Sequence, residues 1–330
     1  MSLLRQQGPA LAPSSPLPTK ELDGKIVGGK SGRRSSGLSA RARHRGMGFL
    51  LIAPFTLLFL AFLVAPLAYA FWLSLRTSTL VGGDHFSWFA NYKQTFTDPH
   101  FLSGVRRVVV FGVVQIPVML GLALLGALII DEVASRLAKV FRMTLFMPYA
   151  VPAVIGALMW GFLYSPTFGP VNSLSNALGL GKVDLLSHGL MLTSLGNIVT
   201  WQWTGYNMIV LYAALQGLPR EVYEAAKLDG AGQIQTALRI KIPMISSALV
   251  LTLMFTIIGT LQFFTEPRVL EPTASQVISP DYTPNLYAYN LAFQYSEFNY
   301  SGAISFSLGA VVFIGSYLFL FATRKRSGLK

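Results

Sequence analysis

The sequence predicts an all-α membrane protein of six transmembrane helices with both termini in the cytoplasm. Three observations carry this expectation. The 330 residues are 52% hydrophobic and only 12% charged, a balance that is membrane-like rather than soluble. Six apolar runs, at 48–75, 105–130, 143–164, 191–215, 244–264 and 303–322, each approach the ~20 residues that a helix needs to cross the hydrocarbon core, and their interiors hold no Asp, Glu, Lys or Arg. The basic residues alternate in sides: 20 of the 26 Lys and Arg fall in 1–47, 131–142, 216–243 and 323–330. The positive-inside rule puts those four stretches in the cytoplasm. The organisation is therefore a basic tail at 1–47, a six-span domain at 48–325 and a short tail at 326–330.

The tail at 1–47 is rich in Gly, Pro, Ser, Lys and Arg, and such a composition buries too little apolar surface to fold. Its run "RRSSGLSARARHR" reads as a topogenic, lipid-surface charge cluster. It lacks the interleaved aromatics and the fold that nucleic-acid binding needs, so no nucleic acid is expected as a partner. "GKIVGGKS", Gly24 to Ser31, matches the phosphate-binding-loop pattern. That loop needs a strand before it and a helix after it, and a Pro-rich tail precedes this copy. "AYA" at 68–70 resembles a signal-peptidase site, but the 47 residues ahead of the run and the run's own length favour an uncleaved span.

The spans follow in order, interrupted at Pro54, Pro66, Pro117 and Pro152, which membrane helices tolerate. There is no cysteine, and His44, His85, His100 and His188 pair with nothing at metal-ligand spacing. No metal site, no cofactor and no catalytic residue is expected in this chain, which excludes a membrane-embedded enzyme. Ion-coupled transport is a competing class. It usually needs ionisable groups inside the membrane, although backbone carbonyls can bind sodium. A third class is a non-transporting scaffold.

The loop at 216–243 is too polar to span and too patterned to be a passive linker. Pro219 suits a helix start, and Glu221 and Glu224 favour the positive end of its dipole. Val222, Ala225 and Ala226 fall on one side, and Gly230 supplies a turn. Ile234, Ala237 and Leu238 give a second short helix that Pro243 ends. Such a helix–turn–helix either packs on its own bundle or offers a small Ala-Ala surface to another protein.

Glu224-Ala225-Ala226, Gly230, Ile240 and Ile242-Pro243 resemble the EAA signature of ABC-importer permeases, with Ile where Leu usually precedes the Pro. "NYKQTFTDPHF", "FMPYAVPAVIGALMWGFLYSPTFGPVN" and "LYAYNLAFQYSEFNYSGAISF" are similar to other segments of the MalF-like carbohydrate-uptake branch, so the resemblance covers roughly 48–325. It implies the type I importer permease fold (MetI-like), with six spans, in a bacterial cell membrane. It also implies a sugar or oligosaccharide as solute, or else glycerol 3-phosphate or another polyol. The partners would be a second, MalG-like permease, a dimer of ATPase subunits carrying the ATP and Mg, and an extracytoplasmic binding protein. The loop would dock on the ATPase, with Glu224, Ala225, Ala226, Asp229, Gly230 and Pro243 as coupling residues.

For the solute, aromatic faces and polar groups must meet inside the spans. Trp201 to Asn207 offer both, and Thr256, Thr260 and Phe263 share one helix face. The family's transmembrane sugar site matches Tyr149, Ala153, Gln202, Trp203, Thr256, Thr260 and Phe263. Ala153 stands where the maltose permease has Ser, and Thr260 and Phe263 stand where it has Asn. These departures trade hydrogen bonding for aromatic surface.

Overall fold

The computed structural model describes residues 51–79, 82–132, 136–179 and 181–327. The tail at 1–47, its phosphate-loop pattern and the last three residues lie outside them. The chain divides into two compact units, 1–61 and 62–330. Of the first, residues 51–61 are described: they are helical, and every side chain is exposed.

Among its described residues the second unit is made of helices joined by turns and loops, with one hairpin. In chain order it holds α1 (Ala65–Ser74), α2 (Ala90–Thr95), α3 (Pro99–Glu132), α4 (Arg136–Phe146), α5 (Ala153–Leu163) and α6 (Pro170–Ala177). Then come α7 (Met191–Gln216), α8 (Arg220–Leu228), α9 (Ser246–Leu261), α10 (Thr265–Leu270), α11 (Pro284–Phe293) and α12 (Phe298–Ser327). One small hairpin interrupts the helical fold: β1 (Arg76–Thr79) and β2 (Gly83–Phe86) form an antiparallel pair with Arg76 opposite Phe86. The run "RTST" ahead of glycines carries β-branched residues, which favour extended backbone over helix.

Helix α3 shows how the bundle is built. Phe101, Gly104, Val108, Phe111, Gln115, Met119, Ala123, Ala127 and Ile130 recur every three or four residues and are buried, mostly along α7. The small residues let the two backbones approach closely. Val109, Val110, Val113 and Val114, on the opposite side, are exposed. An apolar outer surface around a small-residue seam is the arrangement a lipid solvent favours. Buried Met208, Leu211, Leu215 and Ile245 continue the seam toward Asp131. Leu195, Ile198, Phe263, Leu270 and Leu286 form the larger core at the other end.

Among the described residues four helices are long and apolar enough to cross a membrane: Leu51–Ser74, Pro99–Glu132, Ser246–Leu270 and Phe298–Phe321. The expected third span is not one straight helix. Ala138–Ala150 and Ala153–Leu163 meet at a 95° bend and pass as a span only together. Pro152 is the cause: it removes a backbone donor and pushes Val151 to extended backbone (φ −76°, ψ 127°). The fourth apolar run folds as α7, 26 residues long and so about 39 Å at 1.5 Å per residue, but it is not apolar enough to count with those four. Ser194, Asn197, Gln202 and Asn207 make it more polar than the four.

Candidate functional site

The loop after α7 folds as two short helices around a glycine turn. Pro219 caps α8 from outside rather than occupying its first turn, while Glu221 and Lys227 stand at the ends that favour their charges. Gly230 adopts φ +76°, which a β-carbon would strain. The Ala231 N–H donates to the Ala226 carbonyl at 3.0 Å and the Asp229 N–H to the Ala225 carbonyl at 3.0 Å, closing the helix end. Pro243 does not end the second helix, as the sequence suggested. Helical backbone continues from Gln233 through a wide π-turn at Ala237–Lys241 and Ile242–Met244 into α9, broken only at Ile245. The wide turn absorbs the donor that Pro243 lacks.

The faces of this loop decide what it can do. Ala226 is buried against the bundle, whereas Glu224, Ala225 and Asp229 are exposed. Leu228, Ile234 and Leu238 are 89%, 77% and 61% exposed. Three large apolar side chains stand off this polar loop into solvent.

Beneath that surface the loop is fixed by groups that sequence reasoning missed. Lys241 is only 1% exposed. Its ammonium donates to Asp131 at 2.7 Å and to Glu132, and lies 5.0 Å from the Tyr223 ring centre. Gln216 donates to the other Asp131 oxygen at 2.8 Å. Burial alone would lower the Lys241 pKa, but the two carboxylates outweigh it and hold it above the usual lysine range. One ion cluster thus ties the end of α3 and the end of α7 to both arms of the loop. The signal in the sequence was slight: a lone lysine in "RIKIP" and an acidic pair closing an apolar run.

The seven residues aligned with a solute site divide. Trp203, Thr256, Thr260 and Phe263 line one cavity of about 170 Å³, together with Phe111, Tyr206, Asn207 and Glu266. Phe263 stacks on Phe111 with centroids 4.7 Å apart. The hydroxyl of Thr256 donates to the Thr252 carbonyl at 2.8 Å, which leaves its lone pairs for another donor. Tyr149 stands behind the lining, 5.4 Å from Trp203 and stacked 4.8 Å from Tyr206. The geometry does not bring Gln202 or Ala153 to the cavity. Gln202 is buried, and its amide donates to the Val151 carbonyl at 3.0 Å, satisfying the backbone freed by the Pro152 break. Ala153 opens α5 just beyond that break. Gly205 allows the break to pack, because a β-carbon there would collide with the Leu145 carbonyl.

Comparison with known proteins agrees with this architecture. The family model for the binding-protein-dependent transport system inner membrane component matches residues 123–324. The lactose transport system permease protein LacF of Rhizobium radiobacter is 32% identical over 283 residues, covering 84% of this chain and 94% of that protein. The sn-glycerol-3-phosphate transport system permease protein UgpA of Pectobacterium atrosepticum is 26% identical over 205 residues, 62% of this chain and 69% of its own length. A chain from the crystal structure of a bacterial alginate ABC transporter, in complex with an alginate pentasaccharide-bound periplasmic protein, superposes with a TM-score of 0.77. It is 22% identical and covers 88% of this chain and 98% of that one.

Proposed function

The chain belongs to the binding-protein-dependent transport system inner membrane components, multi-pass permeases of the cell membrane, and from that premise we propose that it is one of two permease subunits of an ATP-driven sugar importer. The second subunit is a related, MalG-like permease. A dimer of ATPase subunits binds the ATP and Mg, and an extracytoplasmic protein delivers the solute. In this reading α7 completes a set of six spans, the termini and the Gly230 loop face the cytoplasm, and the solute passes beside Trp203.

The observation that carries the proposal is the loop. Its apolar side chains Leu228, Ile234 and Leu238 are exposed, while Lys241 beneath them is locked to Asp131 and Glu132 at the end of α3, and Gln216 at the end of α7 donates to the same Asp131. Docking would bury those side chains, each contributing up to ~1.5–3 kcal/mol, and the ion cluster would pass the loop's movement to α3 and α7. Glu224, Ala225, Asp229 and Gly230 would form the contact, Ala226 would seat the helix on the bundle, and Pro243 would stand at the hinge. The cavity supports a sugar: aromatic faces suit C–H surfaces, and Thr256 and Thr260 suit hydroxyls. Glycerol 3-phosphate is the second reading, favoured by the similarity to UgpA.

The test is isolation of a tagged copy from its native cells in mild detergent. The proposal expects an ATPase subunit and a second permease in the same particle, with ATP hydrolysis stimulated by a loaded binding protein. A chain that purifies alone, and whose deletion leaves sugar uptake intact, sinks it.

A further inference from the structure

The cavity between α3, α7 and α9 holds one group that nothing above has used. Glu266, in the first turn of α10, is 6% exposed and lines that cavity beside Trp203, Thr256 and Thr260. Among the described residues no other side chain hydrogen-bonds or ion-pairs with its carboxyl group. The basic groups nearby are committed elsewhere. Arg268 donates to Glu271 at 2.7 Å and lies over Tyr289, and Arg107 donates to the Tyr282 carbonyl at 2.6 Å and lies over its ring. The backbone N–H of Glu266 itself donates to the carboxyl, and the remaining acceptor positions meet no side-chain donor among the described residues. Burying acceptors is costly, so a site that keeps such a group beside a cavity has a use for its open positions.

We infer that Glu266 is a specificity residue for the solute, selecting neutral polyhydroxylated molecules against those carrying phosphate or carboxylate. Its two oxygens offer about four acceptor positions, which suit neighbouring hydroxyls of a sugar ring. An anionic group in the same water-poor space would meet a like charge with little screening and no cation to receive it. Trp203, Tyr206 and Phe263 supply apolar faces for the ring's C–H surface, so the wall as a whole matches a neutral sugar. The inference rests on the solute passing this cavity, and within that reading it favours the sugar over the phosphate ester.

The chain contains no cysteine, so a single reporter can be placed against an empty background. Thr260→Cys in the assembled complex is treated with cationic, anionic and neutral methanethiosulfonate reagents, and adducts on this chain are read by mass. The cationic-to-anionic rate ratio, normalised to free cysteine, should exceed one. It should fall at least about fivefold when Glu266→Gln is added, and stay high with Glu266→Asp, because removing one nearby charge moves the two rates in opposite directions. The neutral reagent should react equally with all three. A normalised ratio of one in the parent reporter overturns the inference even if the glutamine variant fails to assemble. A ratio unchanged by Glu266→Gln also overturns it, as does a reporter that the neutral reagent cannot reach. Labelling does not depend on transport, which separates the two claims. The expected ratios in a complex that imports no sugar break the importer reading alone. Sugar import with a flat ratio breaks only the role of Glu266.

Discussion

Helix α3 is anchored by carboxylates at both ends, and the two anchors are built differently. At the Asp98 end one carboxylate oxygen accepts from the hydroxyls of Tyr287 at 2.9 Å and Tyr300 at 2.6 Å, and His100 meets Asp281 at 2.7 Å. These links join α3 to α11, α12 and the segment before α11, all in the same chain, through two tyrosine hydroxyls and an exposed imidazole. At the Asp131 end a buried ammonium holds two carboxylates under a loop whose apolar side chains have nothing to cover them. At the Asp98 end the carboxylates find these side-chain partners in the chain itself. The Asp131 end is rigid inside and unfinished outside, which is what a joint to a second protein requires.

The contrast is broken most severely at the loop surface. Gly230→Val forces a β-branched residue into φ +76°, and Glu224→Lys reverses the charge on the exposed face. Both should reduce uptake to background while normal amounts of chain reach the membrane. Phe96→Ala, at an exposed site of the Asp98 end, should leave uptake within a factor of two. Equal losses at the two ends, in vesicle uptake assays, would erase the distinction.

The next effect in size lies beneath the surface. Lys241→Met leaves two neighbouring carboxylates without their cation, a change of the kind that costs ~3–5 kcal/mol. Adding Asp131→Asn and Glu132→Gln should restore most of the lost stability, because the stranded charges are then gone. Thermal unfolding of the detergent-solubilised complex reads both steps. The restored variant should still hydrolyse more ATP per solute moved than the wild type, since the rigid link is missing. An unchanged ratio would reduce the cluster to a structural ornament of the fold.

Smaller effects are expected in the cavity. Trp203→Ala and Tyr149→Ala remove stacking faces worth ~1 kcal/mol or more, so maximal uptake should fall several-fold. The half-saturating concentration, set by the binding protein, should change little. A shift confined to that concentration would place the contact elsewhere.

The smallest effect is pH dependence, and it differs in direction at the two ends. Burial alone would raise the Asp98 and Asp281 pKa values. It is outweighed at Asp98 by the Tyr300 and Tyr287 hydroxyls and at Asp281 by Ser279 and His100, so both titrate below their ordinary 3.8. A lowered carboxylate pKa stabilises the fold above the unfolded value, and that stabilisation is lost as pH falls through the folded one. The contribution of these two carboxylates to the Asp98 end should therefore be lost only below about pH 4. Lys241 is raised above 10.5, so its contribution is complete below that value and lost only as pH climbs past the folded one. His100 is raised above its ordinary 6.5, chiefly by its hydrogen bond to Asp281, so its contribution is complete below about pH 6.5 and lost as pH climbs through the folded value. Hydrogen exchange resolved by segment should be flat at the Asp131 end between about pH 5 and 9, while the Asp98 end should loosen slightly above about pH 6.5. A transition at the Asp131 end inside that window contradicts these assignments.

How much of this was legible depended on the distance along the chain. The loop was readable because its cues are local: the spacing of Val222 and Ala226, the acidic first turn, and a glycine where φ must be positive. Its lock was not, because Lys241 and Asp131 lie 110 residues apart and neither stands out alone. Pro152 announced a break in the third apolar run, but no local rule gives the 95° angle or says which side chain repairs it. Gln202 shows the cost. In "TWQWTGYN" polar and aromatic residues surround the helix, so periodicity cannot say that Trp203 faces the cavity while Gln202 turns to the Val151 carbonyl. Glu266 was passed over because it lies just beyond the apolar run at 244–264, and its burial comes from elements distant in sequence.

The account stands or falls on what touches the loop. Because the chain has no cysteine, Leu228→Cys carries a benzophenone label at the Asp131 end, and Phe96→Cys carries the same label at the Asp98 end. On illumination of the assembled importer, the label at 228 should form an adduct with the ATPase subunit in high yield, and the label at 96 should form none. An adduct of residue 228 with lipid or with this chain alone, in a complex that still imports solute, would contradict the claim that this loop is the joint.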